Sequence, residues 1–328
     1  MKENNCGSLS LLYSNSKVTF DLLQSTTKNQ KMRDVLDKAC ALSKLPDPLL
    51  IMGETGVGKN ILAQAIHNTK KRKAFFEVTC SGIAENLFES EIFGHEKGAF
   101  TGANTRREGL ALAANGGTLF LDEIGEISLQ LQAKLLRLIE QKKFYPVGSD
   151  QAVSSDIHII CATNKQLEEL RDPKIFRSDL FYRMPLVVEV PPLRERQEDL
   201  LHLIGLFFNR YSQEIQRDFV MSEDVIQILH RYSWPGNIRE LKFAIKMALY
   251  SAIKDKEIKM EHLPAWIQAP ASSGQIMSLK QVEQKHIKHV LDLTRGDKTQ
   301  AAKILGIGRN TLYRKLQENG IESVEDES

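Results

Sequence analysis

The run LLIMGETGVGKN, Leu49 to Asn60, constrains the fold of this chain more than any other stretch. An apolar segment of strand character leads directly into G-x-x-x-x-G-K and then into a helical pattern. Glycines at these positions let backbone N–H groups turn inward around phosphate oxygens, while the lysine reaches the terminal phosphates. Gly53, Glu54, Thr55, Gly56, Val57, Gly58, Lys59 and Asn60 are therefore candidate nucleotide contacts. The position after the lysine usually carries Ser or Thr for Mg2+, and here it is Asn60. Taken alone, the pattern also arises by chance.

A second segment strengthens the reading. GGTLFLDEIGE, Gly116 to Glu126, is an apolar strand that ends in adjacent carboxylates. At such a strand end the first acid, Asp122, helps to hold Mg2+, and the second, Glu123, can polarise an attacking water. An Asp-Glu pair at a strand end is common in α/β proteins, but a phosphate loop upstream favours the paired reading. CATN, Cys161 to Asn164, ends another apolar strand with a Thr-Asn pair able to orient water or γ-phosphate. FRSDLFYR offers Arg177 and Arg183 as arginine fingers for a neighbour's nucleotide. WPGNIREL places Arg239 where it could sense nucleotide, with Trp234 and Leu241 read as core packing.

Strand candidates at 49–52, 75–79, 118–121, 157–162 and 186–190 alternate with helical patterns such as 61–68 and 129–141. That alternation predicts an α/β fold with a mainly parallel sheet. From Glu198 to Leu263 strand signals vanish and the periodicity becomes helical, which predicts a small helical lid. PAWIQAPASSGQ, Pro264 to Gln275, has linker composition. A final helical block precedes the acidic tail IESVEDES. The expected organisation is a leader at 1–20, an α/β part at 21–196, a lid at 197–263, a linker at 264–277, a helical domain at 278–320 and a tail at 321–328.

Cys6, Cys40, Cys80 and Cys161 lie far apart with no CxxC pairing, which fits reduced thiols better than a disulfide framework or zinc. No apolar run approaches the roughly 18 residues of a membrane helix, and no signal peptide is evident, so no membrane contact and a cytoplasmic location are expected. The net charge of +2 announces no nucleic-acid partner by itself. Its distribution does. KTQAAKILGIGRNTLYRK, Lys298 to Lys315, holds five Lys or Arg and no acid. Ala301-Ala302 and the Gly306-Ile307 turn suit the tight crossing of a helix-turn-helix. Arg309, Asn310, Thr311, Tyr313, Arg314 and Lys315 are candidates for groove or phosphate contact. A solvated basic helix pair for dimerisation is the plainer alternative. Leu279, Val282, His286, Ile287, Val290 and Leu291 form an upstream apolar stripe, expected to be a dimer interface. His286 and His289 lack clustered ligands and read as packing or solvation.

The motifs NLFESEIFGHEKGAFTGA, GGTLFLDEIGE, LQAKLLRLIE, CATN, FRSDLFYR, VPPLRERQEDL and WPGNIREL together resemble the AAA+ domain of sigma-54-dependent transcription activators, the bacterial enhancer-binding proteins. The likeness runs from about Asp21 to Leu263. The C-terminal segment resembles the Fis-type helix-turn-helix that commonly ends them. The resemblance implies an AAA+ P-loop NTPase with a helical lid, using ATP and Mg2+ and assembling from dimers into a hexameric ring. It implies that Gly98, Ala99, Phe100, Thr101, Gly102 and Ala103 form the loop that touches sigma-54, with Phe100 and Thr101 at its tip. The small residues let the loop swing between stowed and raised states. It also implies ATP-driven remodelling of sigma-54 RNA polymerase holoenzyme from a closed to an open promoter complex, by a protein bound to upstream enhancer DNA.

Three departures stand out. Asn60 replaces a common Glu. Thr79, in FFEVTC, replaces an Asn held to switch the orientation of the catalytic glutamate; its hydroxyl can still hydrogen-bond a carboxylate. Ala111 and Leu112 stand where Phe-Glu is common. These bear more on coupling of hydrolysis to loop motion than on nucleotide binding. A helicase loader or unfoldase, and a DNA-binding regulator with a decayed ATPase, are the competing readings. About 20 residues precede the AAA+ segment, too few for a sensing domain. Control by a separate regulatory protein, by expression level or by a sensor outside this chain all fit.

Overall fold

In the computed structural model of the chain, the apolar runs become the strands of one sheet. The structure describes residues 18–268 apart from 71 and 83, and in the C-terminal part residues 287, 290, 291, 294, 297–305 and 307–318. The chain divides into two compact units, Met1–Gln268 and Ala269–Ser328.

The first unit opens with helices α1 (Phe20–Thr26) and α2 (Gln30–Leu42), then strand β1 (Leu49–Met52) and helix α3 (Lys59–Thr69). Strand β2 (Phe75–Thr79), helix α4 (Glu85–Phe93), strand β3 (Thr118–Asp122), helix α5 (Leu129–Gln141) and strand β4 (His158–Thr163) follow. Helix α6 (Ser178–Tyr182) and strand β5 (Leu186–Glu189) complete the α/β part. The five strands run parallel in the order β2-β3-β4-β1-β5. Every residue of β1, β3 and β4 is buried. Such strands are covered on both faces, which is why they read as unbroken apolar runs.

Alternate residues of β3 feed the two covering layers. Leu119 and Leu121 join a core with Phe88, Leu131 and Leu135 from α4 and α5. Phe120 joins the opposite core with Leu36, Leu62 and Ile66 from α2 and α3. Each such side chain contributes about 1.5–3 kcal/mol relative to exposure. This stacking fixes the carboxyl ends of β1, β3 and β4 side by side, the edge at which open α/β sheets bind ligands.

The lid begins with α7 (Gln197–Ile215), α8 (Glu223–Arg231) and α9 (Asn237–Ser251). Trp234 is fully buried among Phe207, Leu229, Leu241 and Ile245, and its indole N–H donates to the Leu229 carbonyl at 2.9 Å. Trp234 and Leu241 are thus core residues, as expected. Two details differ from the sequence reading. A parallel pair, Val220–Met221 with Glu257–Ile258, lies within the lid, too short to leave an alternation signal. Residues Ala265–Gln268 form a helical turn whose Ile267 is buried in the lid core, so the lid runs past the expected linker boundary. Upstream, Val18 is buried in the α/β core, inside the segment expected to be a leader.

In the second unit, α10 (Lys298–Leu305) and α11 (Arg309–Glu318) form the expected helix pair. Asp297 caps α10, accepting from the N–H groups of Thr299 and Gln300 at 2.8 and 3.0 Å. Ala301, Ala302, Leu312 and Leu316 are buried together with Ile287 and Val290. Ile287, Val290 and Leu291, from the stripe expected to be a dimer interface, pack against these residues within their own unit. Leu279, Val282, His286 and His289 lie outside the described residues.

Candidate functional site

The phosphate loop connects β1 to α3. Gly53, Gly56 and Gly58 adopt φ of +145°, +81° and +108°, conformations costly for any residue with a Cβ. Gly58 is the N-cap of α3 and supplies no side-chain cap, whereas α2, α5 and α8 are capped by Asn29, Ser128 and Ser222. The first-turn N–H groups of α3 are thereby left for an anion, which the helix dipole favours. A Cβ on Gly58 would meet no atom within 4 Å, so the cradle is open. Lys59 is buried at 5% exposure; its Nζ donates to the Gly53 carbonyl at 2.8 Å and lies 3.3 Å from Glu123 Oε1.

Glu123 leaves β3 with φ +57°, which turns its side chain towards β4 and the loop. Its second carboxylate oxygen accepts the backbone N–H of Asn164 at 2.9 Å, and the Asn164 amide reaches the Thr55 hydroxyl at 3.4 Å. Lys59, Glu123, Asn164 and Thr55 are thus brought together. Thr79 is not among them. It is the register partner of Asp122, and no hydrogen bond joins it to Glu123 among the described residues. The αL turn carries the glutamate away from β2, so the expected hydroxyl contact is not formed.

Burial and the neighbouring Glu123 raise the carboxyl pKa of Asp122, an effect that Lys59 and Arg239 oppose. The Asn60 amide donates to Glu77 on β2, and burial, with Asp122 nearby, raises the Glu77 carboxyl. Among the described residues no group of three or more His, Cys, Asp or Glu side chains is arranged to hold a metal unaided. Mg2+ typically needs only one or two carboxylates beside substrate phosphates. The crowded carboxylates and all-oxygen donors around Asp122 fit such a hard cation.

The lid touches this loop directly. Glu54 receives both guanidinium nitrogens of Arg194, at 2.8 and 2.5 Å, and the Asn237 amide at 3.0 Å. Arg194 is the main cause that holds its carboxyl at about 2, against burial, with Asn237 assisting. Asn237 is fully buried with φ +54°; it also donates to the Thr55 carbonyl and accepts from the Leu193 N–H. The Ile238 N–H donates to the Gly56 carbonyl at 3.0 Å. A Cβ on Gly56 would lie 2.4 Å from the Gly236 carbonyl and 3.0 Å from the Arg239 Cβ, which sets Arg239 beside the loop. Behind it, Leu23, Met32, Leu36, Ile61, Leu203 and Ile238 line an apolar cleft suited to a flat heterocycle. Asp199 closes that cleft, accepting from the Thr27 hydroxyl at 2.7 Å and the Lys28 N–H at 2.6 Å.

Arg177 forms a two-pronged pair with Asp179, at 3.1 and 2.7 Å, and Arg183 lies 3.9 Å from Glu140. Their described partners are these acids rather than the phosphate loop. The Arg177 N–H donates to Gln132, a fully buried side chain whose amide also bonds the Ile127 and Ile175 carbonyls.

The segment 98–103 tips a hairpin whose base pairs Gly94–His95 with Arg107–Glu108. A Cβ on Gly109 would fall 2.2 Å from the Gly94 nitrogen, so the base tolerates no side chain there. Gly98 and Gly102 have φ +84° and +103°, yet a Cβ on either would meet nothing within 4 Å. Phe100 is half-buried rather than loose: its ring meets His95 edge-on, centroids 5.0 Å apart. His95 in turn bonds the Ser90 hydroxyl at 2.6 Å. Ala99 rests against Gly148, Ala103 is buried and Thr101 is exposed. The Gly98 N–H donates to the Ala103 carbonyl at 2.8 Å, closing the tip on itself.

In the second unit Arg309, Asn310, Thr311, Tyr313, Arg314 and Lys315 all fall on α11. Tyr313 is exposed, with the Lys298 ammonium 5.5 Å from its ring centroid. The side chains of Arg309, Asn310 and Arg314 lie outside the described residues. Among the described residues no helix is long and apolar enough to cross a membrane.

Burial pushes the thiol pKa of Cys161 up to about 12 and also raises that of Cys80; Cys40 is free as well. Asp199, Asn237, Gln132 and Glu77 fall within quoted motifs but were given no role there, since their partners are distant along the chain.

Comparison with known proteins agrees with this geometry. Residues 25–189 match the sigma-54 interaction domain, 194–278 the AAA+ ATPase lid domain, and 278–318 the Fis family of bacterial regulatory proteins. The regulatory protein AtoC of Escherichia coli is 41% identical over 312 residues, covering 90% of this chain and 68% of AtoC. The alginate biosynthesis regulator AlgB of Pseudomonas putida is 41% identical over 294 residues, covering 88% of this chain and 65% of AlgB. The chain spans about two thirds of the length of these relatives. The crystal structure of NtrX from Brucella abortus in complex with ATP matches with a TM-score of 0.67 at 27% identity, covering 90% of this chain and 69% of that one. On this evidence the chain belongs to the sigma-54-dependent transcriptional regulators, with an AAA+ ATPase domain, its lid and a Fis-type DNA-binding helix-turn-helix.

Proposed function

We propose that the chain hydrolyses ATP to drive the 98–103 loop against sigma-54 RNA polymerase holoenzyme, opening a promoter from an upstream DNA site. The observation that carries this reading is the double hold on Glu123, by Lys59 at 3.3 Å and the Asn164 N–H at 2.9 Å, beside an uncapped helix N-terminus. With a nucleotide in the cradle, backbone N–H groups of residues 56–60 bind its phosphates and the base enters the cleft above Ile238. Lys59 transfers from Glu123 to the terminal phosphates, which frees that carboxylate to accept a proton from the attacking water. Asp122 and Asn60 would hold Mg2+, which would supply charge to offset that building on the phosphates. Asn164 and Arg239 position the γ-phosphate. Thr79, the register partner of Asp122, stands outside this hold on Glu123.

Arg177 and Arg183 serve a neighbouring protomer in a ring of dimers, where leaving Asp179 and Glu140 lets them meet that protomer's phosphates. With the site loaded for hydrolysis, Phe100 leaves His95 and, with Thr101, presents the raised tip to sigma-54; release of phosphate then changes which state of the hairpin is favoured. Residues 309–315 on α11 contact enhancer DNA. Control of ring assembly falls to a separate regulatory protein, to expression level or to a sensor outside this chain.

Two measurements test the reading. Lys59→Ala should lower ATP turnover by on the order of a hundredfold, the scale of removing one preorganised charge donor; turnover equal to wild type overturns the site. Thr101→Ala should leave nucleotide affinity unchanged but cut open-complex yield at a sigma-54 promoter by about tenfold or more, the equivalent of one contact of ~1.4 kcal/mol. Wild-type yield would remove the loop from the mechanism.

A further inference from the structure

We infer that Glu77 is a positioning residue for the divalent cation, fixing which end of the Asn60 amide faces it. The inference rests on the nucleotide–Mg2+ reading above. Asn60 follows Lys59 in the first turn of α3, at the place where phosphate loops usually carry a hydroxyl for the cation. A hydroxyl presents oxygen whichever way it rotates. An amide does not, because one end is an acceptor and the other a donor, and only the acceptor suits a cation. The substitution of an amide at this position therefore creates a need for orientation.

The packing of α3 on β2 supplies it. Asn60 and His67 lie two turns apart on one face of α3, and Phe75 and Glu77 lie two residues apart on one face of β2. His67 meets the Phe75 ring with centroids 5.3 Å apart, and Phe75 stacks on Phe120 of β3, 5.9 Å away. This contact locks helix against strand and brings Asn60 to Glu77, whose carboxylate takes the amide nitrogen. An ionised carboxylate only accepts, so it takes only the nitrogen end. The Asn60 carbonyl oxygen accepts no hydrogen bond among the described residues and is left for the cation or a water upon it. Partners that orient a metal ligand commonly affect metal affinity by about 10–100-fold when removed.

The test is a double-mutant cycle read by Mn2+ binding, followed by electron paramagnetic resonance on the full chain with saturating ADP. Glu77→Gln should weaken Mn2+ binding about tenfold, since Gln can donate as well as accept and no longer dictates the amide's direction. In an Asn60→Ser background the same change should cost under about twofold, because the hydroxyl has no wrong end. In each background, adding Glu77→Gln should leave the affinity for ADP without metal where it was. Equal losses in both backgrounds would overturn the inference, assigning Glu77 a charge effect alone. A parallel fall in metal-free ADP affinity would overturn it too, as structural damage. Failure of the unaltered protein with ADP to bind Mn2+ would defeat the underlying site reading together with this inference, a result distinct from the other two.

Discussion

Two glycine-bearing loops of this molecule have similar backbone angles and opposite surroundings. In the phosphate loop, Gly56 is walled in by the Gly236 carbonyl, which a Cβ would approach to 2.4 Å. In the 98–103 loop, Gly98 and Gly102 bend just as far from ordinary angles, at φ +84° and +103°, but face open space. At Gly56 the first loop is shaped by what presses on it, though Gly58 lies open; the second is held by its own hydrogen bonds, by Phe100 resting on His95 and by Ala99 against Gly148. Glycine thus serves close approach in one place and freedom of movement in the other.

The strongest way to break this contrast is to add the same methyl group to each loop. Gly56→Ala combines overpacking with a left-handed backbone, together about 3 kcal/mol, and should weaken ATP binding about 100-fold. Isothermal titration measures it, and an affinity within threefold of wild type would mean that the lid contact yields. Gly102→Ala carries strain of about 1–3 kcal/mol but no clash. It should lower the unfolding free energy by that amount in urea while ATP affinity stays within twofold. A loss of ATP affinity comparable to that of Gly56→Ala would erase the distinction between the loops.

The smallest effect sharpens the contrast from the lid side. The Glu54 carboxyl is held at about 2 by Arg194, below its ordinary value in the unfolded chain. A depressed folded value means that the pair stabilises above roughly pH 4.3, the unfolded pKa. That stabilisation is lost as pH falls towards 2. Both side chains are partly exposed, so screening limits the contribution to about 1 kcal/mol. Glu54→Gln should therefore lower stability by that amount at pH 7, and its deficit should shrink as pH is taken from 5 to 3. A deficit independent of pH would show that the ion pair is not its source.

Much of this was legible in the chain itself. The fully buried strands announced themselves as apolar runs, and Lys59 at the start of α3 meets Glu123 and Asn164 beyond the ends of β3 and β4. What escaped has a common physical cause. The Glu54–Arg194–Asn237 contact spans 183 residues between its ends, and the Asp199 bond to Thr27 spans 172. Polar residues joined at such separations leave no local periodicity. The support of Phe100 escaped for a related reason: it comes from His95 across a turn, not from its small neighbours. The stripe at 287–291 shows the converse, since an apolar period reports burial but not whether the covering surface belongs to the same unit.

The seam formed by Gly56, Gly236, Asn237 and Ile238 also governs how this protein can be recombined with others. A chimera that takes its nucleotide loop from one parent and its lid from another must carry residues 53–57 and 193–239 as a matched set. Crossover points placed between those two stretches would set a mismatched side chain against the Gly236 carbonyl, or strip Glu54 of its Arg194 and Asn237 donors, along that seam.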